Sequence, residues 1–148
     1  MKNSNLKINA NCLIELFDKN GKLRETRNIH NTVTTAGLQG VADQVLLTPS
    51  LPKVGWMELG TGTGGTTLLN AYIASSRVAF TTKTRGANAI VTVVGDFAAG
   101  TGTGTVTEAG CFDVVTQNTV NMWMYASFTA IPKGASDTLK ITWTLTVA

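Results

Sequence analysis

Charge is what this chain has least of. Asp, Glu, Lys and Arg together make up 14% of its 148 residues, against about 25% in an ordinary soluble domain. With 43% hydrophobic residues beside so little charge, a large share of the folded surface is expected to lie hidden in an assembly. The basic residues are scattered, no Lys/Arg run exists and the net charge is only +3. A nucleic-acid footprint is therefore not indicated. His30 is the only histidine, which leaves no pair for a two-histidine metal site and no support for a histidine-based triad. The two cysteines, Cys12 and Cys111, share no CxxC spacing and form no disulfide framework, so a reducing compartment is expected. No apolar run approaches the ~20 residues of a helical membrane span. The N-terminus lacks a signal-peptide pattern, since Lys2 is followed by polar residues and Cys12-Leu13-Ile14 is broken by Glu15. A chain made and folded in a cytoplasm, without membrane, cofactor, metal or small-molecule substrate, is the expectation.

What is present in abundance is threonine at alternate positions. Leu139 to Val147 alternates apolar and polar without an error, and every polar position but Lys140 is threonine. Successive side chains on a strand point to opposite faces, so this segment buries Leu139, Ile141, Trp143, Leu145 and Val147 on one side. The other side is hydrogen-bonding yet nearly free of charge, a surface suited to packing against another protein. The length fits one domain. Residues 1–11 read as a polar arm anchored by Leu6 and Ile8, and residues 12–148 as a single β domain.

Cys12 to Phe17 reads as a strand, Asp18-Lys19-Asn20-Gly21 as a hairpin turn, and a second strand continues through Arg27. Thr34 to Leu47 is the one helical segment, with Ala36, Val41, Ala42, Val45 and Leu46 as its apolar stripe and Thr34 or Thr35 as N-cap. Gly37 and Gly40 weaken it and suggest close packing on a sheet. Further strands are expected at 54–59, 76–84, 88–97, 103–115, 119–131 and 138–147. About eight strands joined by short turns predict an antiparallel β-sandwich, jelly-roll-like or immunoglobulin-like, with one short helix between the early hairpin and the main strands.

Gly60-Thr61-Gly62-Thr63-Gly64-Gly65 formally matches GxGxxG. A dinucleotide site also needs a following helix and a carboxylate ~20 residues on, and residues 80–83 offer none. Thr66 stands where a phosphate loop requires lysine. A sandwich-edge loop is the better reading. His30, among Asn28, Asn31 and Thr32, reads as part of a hydrogen-bonded turn. Glu108 interrupts a strand and, if buried, needs a donor such as Arg77 or a nest of backbone amides. Cys111 beside Phe112 reads as a small core residue. Residues 119–128 are apolar on both faces, with Trp123 and Tyr125 opposite Met122 and Met124. Such a strand is either central between layers or has one face on a partner. Stacking of Trp56, Trp123 and Tyr125 on a sugar is the competing use.

Several segments taken in order resemble small tailed-bacteriophage virion proteins. They are the run from His30 to Gly37, Trp56 to Thr63, Ser76 to Phe80, Gly102 to Phe112, and Pro132 to Thr144. The resemblance implies a structural protein without catalytic residues: a head decoration (cement) protein on the outer surface of the capsid, assembled in the host bacterial cytoplasm. Its expected partners are the major capsid protein and copies of itself in a homotrimer. The expected interface residues are Lys2, Leu6, Lys7, Ile8, Trp56, Trp123 and Tyr125. A tail, collar or fibre component is the alternative, followed by a carbohydrate-binding module.

Overall fold

The computed structural model describes residues 7–44 and 53–147. It is mainly β, with nine strands and one short helix. The strands are β1 (Ile8–Phe17), β2 (Leu23–Val33), β3 (Trp56–Gly60), β4 (Val78–Ala79), β5 (Thr82–Arg85), β6 (Ile90–Phe97), β7 (Gly104–Phe112), β8 (Met122–Lys133) and β9 (Thr138–Val147); helix α1 covers Thr35–Asp43. All the strand pairings are antiparallel, and they join the strands into one sheet in the order β4-β3-β7-β8-β2-β1-β9-β6-β5.

That order sets the shape. β4 and β5 are neighbours in sequence, separated only by Phe80 and Thr81, yet they form the two opposite edges of the sheet. Two residues span only a few ångströms even when extended, so the sheet must curl until its edges meet. The amide of Phe80 donates to Gly55 O beside β3, at 2.9 Å, and the next amide, Thr81, donates to Val94 O on β6, at 2.8 Å. The result is a half-barrel. Its two sides share β2, which pairs along nearly its whole length with β1 but meets β8 only through Thr32 and Val33.

The concave side holds the core. Ile14, Leu16, Met57, Leu59, Phe97, Val106, Ile131, Ile141 and Trp143 are fully buried there. β9 covers Thr138–Val147 as the alternation predicts, with Leu139, Ile141 and Trp143 inward. A second, smaller core of Leu69, Phe112, Met122 and Tyr125 lies under the loop between β3 and β4.

Several boundaries differ from expectation for identifiable reasons. β1 begins at Ile8, so residues 8–11 of the expected arm pair with β9, and Ala10 and Asn11 also with β2; residues 1–6 lie outside the described residues. β2 continues past Arg27 to Val33, which places His30 on an exposed strand position opposite Asn11 instead of in a turn. The expected strand 76–84 is two strands, because its middle crosses from one sheet edge to the other. Thr34 is the N-cap, its side chain accepting from Gly37 N at 3.1 Å. The face that α1 buries consists of Gly37 and Gly40, while Ala42 of the expected stripe is exposed. A Cβ on Gly40 would run into the Trp123 ring, and one on Gly37 into the Trp123 carbonyl. The helix can lie on β8 only because both residues lack a side chain. Val45 and Leu46 lie outside the described residues.

Candidate functional site

The antiparallel registers extend the threonine face of β9 across four neighbouring strands. Directly opposed residues project to the same face of a sheet. One row therefore runs Thr84, Thr92, Thr144, Asn11, His30, and the next runs Thr82, Val94, Thr142, Leu13, Asn28. A third, shorter row holds Ile90, Thr146 and Asn9. No Asp, Glu, Lys or Arg occurs in these rows. The first charged row is Asp96, Lys140 and Glu15, at the margin. Asn11 Nδ2 donates to Asn28 Oδ1 at 2.6 Å, tying the end of the surface together. The convex side of the half-barrel thus carries a continuous patch of hydroxyl, amide and methyl groups. Sequence reading found only its β9 stripe, because the flanking positions are fixed by strand order.

The expected interface residues scatter. Lys2 and Leu6 lie outside the described residues; Lys7 is exposed, and Ile8 and Trp56 are half-buried. Trp123 and Tyr125 are each 8% exposed, and both are covered within their own chain. Trp123 lies beneath α1 and donates its indole N–H to Asp113 Oδ2 at 3.3 Å. β8 is thus the central strand that its two apolar faces allowed, lying between β7 and β2.

Tyr125 belongs to a buried carboxylate network. Glu108 is fully buried and accepts from the amides of Gly62 (3.2 Å), Ala71 (2.8 Å) and Asn70 (3.3 Å), and from the Tyr125 hydroxyl (3.1 Å). Gly64 N in turn donates to the Tyr125 oxygen at 2.7 Å. Burial, with the Glu108 carboxylate beside it, pushes the Tyr125 phenol above its usual range. Of the two donors expected for Glu108, the amide nest is the one found. Arg77 instead pairs with Glu58 at 2.7 Å, with both side chains 1% exposed. Its guanidinium also lies 3.7 Å from the centroid of the Phe112 ring and donates to Val114 O.

The glycine-threonine loop acquires its explanation here. A Cβ on Gly62 would approach Glu108 Oε1 and Ala71 N to 2.9 Å, so glycine lets the backbone close onto the carboxylate. The loop's amides point at a resident anion from β7, and their chemistry is that of a clasp. Cys12 and Cys111 are free and fully buried, and burial pushes both thiols up. Among the described residues no group of three or more His, Cys, Asp or Glu side chains could hold a metal ion. No described helix is long and apolar enough to cross a membrane. Searches against protein-family models, curated proteins and solved structures find no match to this chain.

Proposed function

We propose that this chain is a non-catalytic structural protein of a bacteriophage particle, a head decoration protein that binds the capsid and its own copies in a homotrimer. The observation that carries the reading is the charge-free patch on the convex face of β5, β6, β9, β1 and β2. Its cross-strand rows of threonine, asparagine and aliphatic side chains impose little desolvation cost when covered. The low overall charge and the resemblance of the ordered segments support the same conclusion. Lys7, Ile8 and Trp56 remain reachable for contacts at the rim. In this reading the curled sheet acts as a sandwich-like body of jelly-roll or immunoglobulin type, folded about the short β2–β8 pairing.

The buried carboxylates fit a structural role as well. Glu108 and Glu58 are each held by several donors and fasten the loops over β7 and β8. Quantitative staining of purified particles that contain the chain tests the assignment. A decoration protein is present at a copy number comparable with that of the major coat protein. A ratio far below that transfers the reading to a tail, collar or fibre component, and absence from particles overturns it.

A further inference from the structure

At one mouth of the half-barrel, between α1 and the ends of β5, β6 and β9, lies a cavity of about 600 Å³. Its volume falls within the range typical of small-molecule sites, and barrel mouths are a recurrent place for them. The walls are apolar: Val33, Val41, Val91, Met124, Trp143 and Leu145 all line it. The Trp143 indole N–H is buried without an acceptor among the described residues.

The rim carries charge of one sign only. Lys53, Lys83 and Arg85 line the cavity, and among the described residues no Asp or Glu does. β5 alternates so that Lys83 and Arg85 oppose Val93 and Val91 of β6, which places both on the concave side, away from Thr82 and Thr84. None of the three cations is ion-paired with a described carboxylate; the pairs found are Arg24–Asp137, Arg27–Glu25 and Arg77–Glu58. In a chain with so little charge, three cations without a carboxylate partner among the described residues, set around an apolar hollow, form a specific arrangement.

We infer that this mouth binds a small amphipathic carboxylate, its aliphatic or aromatic body against Val91, Trp143 and Leu145 and its head at Lys83 and Arg85. The apolar wall supplies affinity by removing hydrocarbon from water. The cationic rim supplies the preference for an anion, through charge-assisted hydrogen bonds. The site is a binding site and involves no covalent step. It is separate from the convex face and does not depend on the role proposed for that face.

Titration of the native chain with decanoate, decanol and decyltrimethylammonium, followed by tryptophan fluorescence and calorimetry, tests the inference. Decanoate is expected to bind saturably to one site, at least about tenfold tighter than decanol, with the cationic amphiphile weakest. Lys83 and Arg85 are exposed, so Lys83→Ala with Arg85→Ala leaves the core intact; it should abolish the preference for decanoate while decanol binding stays unchanged. Leu145→Trp, which fills the cavity, should remove binding of both. The absence of saturable binding, equal binding of all three probes, or an unaltered preference in the double variant would overturn the inference.

Discussion

At the scale of single residues, Glu108 is the side chain on which most local structure depends. Replacing it with alanine strands three backbone amides and the Tyr125 hydroxyl in a buried site. Glu108→Ala should therefore destabilise the fold by about 3–5 kcal/mol in urea unfolding. Hydrogen exchange should accelerate at Gly62, Asn70 and Ala71, whose amides it accepts. The sequence showed that a buried Glu108 would need an amide nest or an arginine. It could not choose between them, because the loop that supplies the amides lies 37 to 46 residues away. Asp113 makes a separate prediction. Burial raises its carboxyl above the usual range, opposed in part by the Trp123 indole and Arg77. A group with a raised folded-state pKa favours the fold most once both states are protonated and loses that contribution as pH rises through the raised value. Asp113→Asn should thus be more stable than the native chain at neutral pH, and the difference should shrink on acidification. A difference that grows toward low pH would contradict the cause assigned to the shift.

At the scale of elements, periodicity read the strands well and their ends poorly. β9 matched because its alternation is unbroken and a turn at Gly134–Asp137 precedes it. The segment 76–84 misled because Phe80 and Thr81 bond to opposite edges of the sheet without any turn residue to announce it. The helix was legible from Thr34 and its apolar stripe, and Gly37 and Gly40 already pointed to close packing on a sheet; the Trp123 ring and carbonyl that they meet were not legible. Hydrophobic patterning assigns burial to the largest apolar side chains, whereas here the fit to Trp123 requires their absence. Gly40→Ala should raise intrinsic helix propensity by about 1 kcal/mol and yet destabilise the protein by about 1–3 kcal/mol through overpacking. Combining it with Trp123→Leu, which opens the same space, should cost less than the sum of the two single changes. Chemical denaturation of the four proteins measures the coupling, and strict additivity would show that the helix does not rest on that ring.

At the scale of the whole molecule, the sequence carried the class of fold and one stripe of the candidate surface, and strand order supplied the remainder. A threonine stripe on one strand becomes a surface only when its neighbours are known. The pairings bring Thr92 and Val94 from one side and Asn11 and Leu13 from the other. The same curl that joins the edges leaves this patch convex, with the charged row of Asp96, Lys140 and Glu15 at its margin. The account rests on that face being covered in use. Sedimentation equilibrium of the native chain and of Thr144→Lys, with the fold of each checked by circular dichroism, tests this most directly. The native chain should sediment as an oligomer, a trimer of the 15.6 kDa chain. Thr144→Lys, placing a charge at the centre of the patch, should remain folded and become monomeric. A native chain that is monomeric at every concentration, or an oligomer indifferent to the new lysine, would contradict the account.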